Sequence, residues 1–295
     1  MLDLYYPDVS DKNWATECLS KSNYMGCEYS FGNIIMWTPV FKTKIAKYKN
    51  FLITKGEGEK PSYCCPAGDG DVTEVIFDLI EDARQCGHPF RMVGLSAECV
   101  KMMEQRFPGR FIFTPYRDSF DYIYNTEDLI NLSGRKYHGK RNHISAFKNN
   151  NNWSLELINE DNLNECIELN NVWEEENREK DPESIAMEQA AIKRGFDNYF
   201  ELDFLGAVLR VDGKPVAFTI GERMSDEMFC IHFEKAVYNI RGAYPMINRE
   251  FAERALSGYK YINREDDAGS EGLRKAKLSY YPAILLEKYI LELRD

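Results

Sequence analysis

The spacing of apolar residues divides the second half of the chain into runs of helical and strand period. Leu163, Cys166, Ile167 and Trp173 recur near one face of a 3.6-residue turn and predict a helix over 161–180. Asp181-Pro182-Glu183-Ser184 opens another helix, with proline at its first position, and that helix runs to Gly195. Residues 204–211 and 215–224 read as strands around the turn Asp212-Gly213-Lys214, and 228–236 as a third strand. Arg241-Gly242-Ala243 then leads into a helix over 244–257, a strand over 259–263, a helix over 270–279 and a last strand over 283–291.

The first half has the same order. A hairpin over 44–55 turns at Lys49-Asn50, and a strand over 62–66 leads through Gly68-Asp69-Gly70 into a helix over 72–86. A strand over 90–95, a helix over 96–107 and a strand over 110–114 follow. Equivalent elements start at 72 and 244, 90 and 259, and 96 and 270, a steady offset of about 170 residues read from element order alone. This predicts an N-terminal unit over 1–132, a basic connecting helix over 133–150 and a C-terminal unit over 151–295 that holds the active site. The length of 295 residues suits two such units. The run Asn149–Asn152 reads as the exit from the basic helix, since asparagine tolerates left-handed and turn geometry.

The pattern of helices, antiparallel strands, a glycine-bearing strand-to-helix turn and then β-α-β resembles the fold of the Gcn5-related N-acetyltransferases. The expected class is therefore α/β (α+β), with two tandem acyl-CoA N-acyltransferase-like (GNAT-like) domains, each a mixed, mostly antiparallel sheet flanked by helices. The resemblance implies a sheet that splays between its fourth and fifth strands. It also implies a cofactor pyrophosphate at the N-terminus of the next helix, where unpaired N–H groups and the helix dipole favour anions.

The formal charge of −11 excludes a general nucleic-acid coat protein. It comprises a remainder of −16 and a segment, 134–149, that carries +5 with no acid. The N-terminus has no basic n-region followed by an apolar run, and no apolar stretch approaches a membrane span, so a cytoplasmic protein without a transmembrane segment is expected. The eight cysteines include no Cys-x-x-Cys pair. Cys86-Gly-His88 lacks a second ligand pair, so no metal is expected.

Two stretches carry a closer resemblance. The first is Gly134-Arg135-Lys136-Tyr137-His138-Gly139-Lys140-Arg141-Asn142-His143. The second is Tyr261-Ile262-Asn263-Arg264-Glu265-Asp266-Asp267 together with Glu271-Gly272-Leu273-Arg274-Lys275-Ala276-Lys277-Leu278-Ser279-Tyr280. Both resemble a bacterial domain family of unassigned function that includes the C-terminal domain of phosphatidylglycerol lysyltransferase. The run Gly272–Lys277 also looks like an element of Fem-type aminoacyltransferases, which puts Lys277 where those enzymes hold a phosphate-contacting lysine. The resemblance implies acyl or aminoacyl transfer to an amine or hydroxyl. The donor it suggests is aminoacyl-tRNA or acyl-CoA, and the phosphate-bearing partner a tRNA, coenzyme A or a lipid head group. A non-catalytic phosphate-binding module of the same fold is the alternative. The loop Arg241-Gly242-Ala243-Tyr244-Pro245-Met246 departs from the coenzyme A pattern, because bulky Tyr244 and Met246 would crowd a pyrophosphate and Pro245 removes an N–H.

The candidate residues follow from placement. His232 and Glu234 alternate along one strand, share a face and are candidate bases; a satisfied strand pair is the alternative. Tyr280 is a candidate acid toward the leaving group, or a packing residue. Arg135, Lys136, Lys140 and Arg141 form a phosphate wall or a solvated helix face. Arg241 opens the candidate phosphate loop. Asn263, Arg264 and Asp266 end a strand, the favoured ligand position of open α/β sheets, with helix capping as the alternative. Arg274 and Lys277, neighbours on a helix, would hold phosphate. Asp69 and Asp71 repel phosphate, so the turn at 68–71 reads as a helix cap at Asp71 with Glu74 as its capping-box partner.

Overall fold

The computed structural model describes residues 2–237 and 239–294. In chain order come α1 (Lys12–Ser22), α2 (Phe31–Phe41), β1 (Thr43–Tyr48), β2 (Phe51–Gly56), β3 (Ser62–Tyr63), β4 (Ala67–Gly68), α3 (Val72–Gln85), β5 (Arg91–Leu95), α4 (Ala97–Arg106), β6 (Phe111–Pro115), β7 (Asp121–Asn125) and α5 (Thr126–Asn131). A 3-10 turn over Arg135–Tyr137 enters α6 (His138–Asn150). Then follow β8 (Trp153–Leu157), α7 (Leu163–Asn177), α8 (Pro182–Asp197), β9 (Leu205–Val211), β10 (Lys214–Arg223), β11 (Met228–Ala236), α9 (Ala243–Ala255), β12 (Tyr261–Asn263), α10 (Glu271–Leu278), β13 (Ile284–Leu286) and β14 (Tyr289–Leu293). Two compact units result. One holds the residues up to Tyr122, Glu265–Lys275 and those from Leu285 on; the other holds Ile123–Arg264 and Ala276–Ile284. Each is a mixed sheet flanked by helices, the expected fold class.

In the first unit the sheet runs β1-β2-β3-β5-β14-β6. Helix α3 lays Val72, Val75, Ile76, Leu79 and Ala83 into the core. Asp82 falls on the same stripe and is buried too, because Lys55, the Tyr63 hydroxyl and the Leu2 amide all donate to it. Asp71 caps α3 by accepting from the Thr73 amide; Glu74 instead pairs with Lys49. The C-terminal strand β14 lies antiparallel to both β5 and β6. The division of the chain therefore differs from the expected boundaries at 132 and 150. Strand pairing joins residues far apart in sequence, and a partition drawn at linkers cannot show it. The single strand expected over 283–291 is likewise two short strands in different sheets.

In the second unit β8, β9, β10 and β11 form an antiparallel meander, followed by β12 parallel to β11 and β7 antiparallel to β12. The α8 start is as expected, with Asp181 accepting from the Ser184 amide ahead of Pro182. Helix α6 ends where the asparagine run predicts, but Asn151 is extended rather than left-handed, and its side chain donates to the Phe147 carbonyl. Two features of β11 shape the unit. Its register with β10 passes from Phe233↔Ile220 to Ile231↔Gly221, so His232 is the extra residue of a bulge. Its pairing with β12 covers only Met228–Cys230, so β11 runs on through Ala236 without β12 beside it. The sheet thus opens between its fourth and fifth strands.

Candidate active site

The opening is spanned by a buried ion pair. Glu234, on the unaccompanied part of β11, takes Arg264 Nη2 on Oε1 at 3.0 Å, and Arg264 stands just past the end of β12. The two side chains are 7% and 12% exposed, so the pair is largely shielded from water. Asn248 of α9 donates to the other oxygen, Oε2, at 3.3 Å. Burial works against the Arg264 charge, but Glu234 outweighs it and the guanidinium pKa lies above its ordinary value. Its Nη1 is buried and has no protein acceptor among the described residues.

Aromatic rings frame this pair. The guanidinium lies 5.1 Å from the Tyr280 ring centroid and 5.8 Å from that of Tyr124, and the two rings meet edge to face at 6.3 Å. Tyr280 follows α10 and is buried, which pushes its pKa up and keeps the phenol protonated. Its backbone carbonyl accepts from the Tyr137 hydroxyl at 2.9 Å. Lys140 reaches in from α6 and places its ammonium 3.9 Å from the same Tyr280 centroid. Burial, and then the charge of Arg264, lower the Lys140 pKa to about 8 against the pull of Glu234. No carboxylate lies at hydrogen-bond distance from it among the described residues.

The remaining candidates divide by what they touch. Lys277 donates to the Arg264 carbonyl at 2.6 Å, so it holds the end of β12. Arg141 donates to the carbonyls of Leu132 and Gly134 and pins the turn before α6. Lys148 pairs with Glu250 at 2.7 Å. Lys136 is exposed over the Tyr137 and Tyr281 rings, and Arg135 and Arg241 are exposed. Asn263 is wholly buried at the β11–β12–β7 junction. His232 corrects the strand argument. The bulge breaks simple alternation, and its imidazole, 0% exposed, meets Glu222 at 2.9 Å and Phe204 in the core. A histidine sealed in this way is a poor candidate base. Glu222, its partner, carried no sequence signal.

Arg274 and Asp266 belong to the first unit. Arg274 is held by Asp267 and Asp118, and Asp266 accepts from the Ala268 amide. Neither has the open geometry of a ligand contact. Asp267, next in the chain, is wholly buried and takes Arg117, Tyr122 and Arg274. Burial opposes its charge, yet Arg274, Tyr122 and the Gly269 amide hold its carboxyl pKa down at about 2. A second buried cluster in this unit also escaped the sequence reading. Cys27, Glu28 and Asp121 have the spacing of a metal site, but the Lys288 ammonium occupies the cation position, 2.6 Å from Glu28 and 2.8 Å from Asp121.

The loop ahead of α9 is poorly furnished for a pyrophosphate. Gly242 has φ 91°, and a Cβ there would lie 2.8 Å from the His143 carbonyl of α6, so the loop is packed under the basic helix. The Ala243 amide is bonded to the Ile240 carbonyl, the Met246 amide to that of Gly242, and Pro245 has none. Among the described residues no helix is long and apolar enough to cross a membrane.

Known structures share this architecture. A conserved protein of unknown function from Bacteroides thetaiotaomicron is 40% identical, with 100% of each chain covered and a TM-score of 0.95. The C-terminal domain of an Agrobacterium fabrum protein described as a lysylphosphatidylglycerol synthetase is 15% identical, over 97% of this chain and 92% of that one, with a TM-score of 0.70. FemX is 8% identical over 98% and 97% of the two chains, with a TM-score of 0.61, a likeness of fold alone. The family model of the phosphatidylglycerol lysyltransferase C-terminal domain matches residues 20–292, and this chain belongs to that family.

Proposed function

We propose that the second unit transfers an acyl or aminoacyl group from an activated donor to an amine or hydroxyl. The observation that carries this reading is the shielded Glu234–Arg264 pair across the open sheet, with Lys140 and Tyr280 beside it, in a chain of this family. Acyl transfer needs a base for the nucleophile, a proton for the leaving group and positive charge near the developing oxyanion. Glu234 keeps a lone pair on each oxygen after bonding Arg264 and Asn248, and it takes the proton. Tyr280, held protonated by burial, gives one. Lys140 and Arg264 supply the positive charge. Family membership favours aminoacyl-tRNA as donor. The close packing of Gly242 against α6 and the missing N–H at Pro245 in the first turn of α9 weigh against acyl-CoA.

A transfer assay tests this directly. Purified protein is offered labelled lysyl-tRNA and other charged tRNAs, with phosphatidylglycerol vesicles or amine acceptors, and labelled acetyl-CoA in parallel. Turnover is expected with a charged tRNA and is lost in Glu234→Gln. No product with any donor would overturn the reading. It would favour a binding module of the same fold, a reading to which the two partners already on Glu234 lend weight.

A further inference from the structure

We infer that Lys140 and the unpaired edge of Arg264 form a subsite for one phosphate group of the ligand. The inference uses the cluster of the proposed transfer site but depends on none of its chemistry. Three observations carry it. Arg264 gives Nη2 to Glu234 and leaves Nη1 buried without a protein acceptor. A buried donor without a partner is costly, and such groups are rare in folded proteins. Lys140 presents a half-buried ammonium with no carboxylate partner among the described residues, on the same Tyr280 ring that Arg264 approaches. The cluster therefore holds two cations, Lys140 and Arg264, against one carboxylate, Glu234, in partly dry surroundings. That imbalance is relieved by an anion arriving with the ligand.

The donors favour phosphate over carboxylate. Lys140 on α6 and Arg264 after β12 are separate cationic donors that approach the same Tyr280 ring, 3.9 and 5.1 Å from its centroid. A tetrahedral phosphate offers an oxygen to each and keeps a third for a further donor. The other basic residues of the notable segment do not compete for this role. Arg141 and Lys148 are bonded within the fold, and Arg135 and Lys136 are exposed.

Calorimetry and thermal shift on the full chain, at constant ionic strength, test the subsite. The probes are inorganic phosphate, glycerol 3-phosphate as the lipid-head-group source, adenosine monophosphate as the nucleotide source, and acetate as a carboxylate control. Phosphate and at least one of the esters are expected to bind and raise Tm, and the tighter ester identifies the source. Lys140→Met is expected to weaken binding about tenfold or more. Arg264→Lys keeps charge but loses the orphan N–H, and weakens it too. Lys275→Met, an exposed lysine outside the cluster, leaves binding unchanged. No binding of any phosphate probe, equal binding of acetate, or undiminished binding in Lys140→Met overturns the inference. Phosphate binding without acyl transfer would overturn the catalytic reading and leave the subsite standing; transfer without phosphate binding would do the reverse.

Discussion

Replacing Lys140 by methionine should make the protein more stable. The ammonium is half-buried beside Arg264 with no carboxylate bonded to it, and its pKa falls to about 8. In the unfolded chain a lysine titrates near 10.4, and a gap of that size would amount to about 3 kcal/mol for a fully buried group. Water still reaches Lys140, and screening reduces the figure to about 1–2 kcal/mol. The sign follows from proton counting. Below pH 8 the lysine is charged in both states, and the folded state bears the whole penalty. From there to about pH 10.4 the unfolded chain binds more protons, so the wild type gains stability as pH rises; above that range the penalty is gone. Methionine fills similar volume without charge and removes the penalty at every pH. Urea unfolding at about pH 7 should therefore show Lys140→Met more stable by about 1–2 kcal/mol, and at about pH 9.5 half or more of that difference should have disappeared. A variant no more stable than wild type at neutral pH, or a difference that does not change with pH, refutes the description of Lys140 as an uncompensated cation.

Other perturbations read different parts of the fold. Asp267→Asn should cost about 2–3 kcal/mol, because Arg117 and Arg274 lose their shared counter-ion. In the wild type that contribution is complete above about pH 4 and is lost as pH falls through about 2, which acid unfolding followed by circular dichroism would show. Gly242→Ala places a Cβ 2.8 Å from the His143 carbonyl at φ 91°, and should lower stability by about 2 kcal/mol or more in the same urea assay. Millimolar coenzyme A should raise Tm no more than adenosine monophosphate does; a larger rise would show that the loop before α9 accepts a pyrophosphate after all.

Long periodic elements were legible, and so was the strand-to-helix turn at Gly242. The meander β9–β11 and helices α3, α7, α8 and α9 stand within a few residues of their predicted ranges. Helices α1 and α2 were not. Helix α1 buries only Ala15, Cys18 and Leu19, too short a stripe to stand out. Helix α2 is apolar on most sides and contains Pro39, so it has neither a polar face nor an uninterrupted pattern. Strands β7 and β14 failed for another reason. Each is five residues long, and its place is fixed by partners far away in sequence.

The site was half legible for a related reason. Sequence shows where charge is concentrated but not which charges the fold itself neutralises. Motif likeness pointed to Lys277 and Arg274, and the fold binds one to a backbone carbonyl and the other to two aspartates. Strand alternation pointed to His232 with Glu234, and one bulge residue separated their surroundings. Of the basic segment, Lys140 alone combines partial burial with an unanswered charge next to the Glu234–Arg264 pair, and nothing in its local sequence distinguishes it from Lys136 or Arg141. An uncompensated cation lowers stability, so its presence calls for a compensating role in binding or catalysis. Lys140 therefore takes precedence over Lys277 and Arg274, which the Fem-like likeness favoured, and its role stands or falls with the pH-dependent stability of the methionine variant.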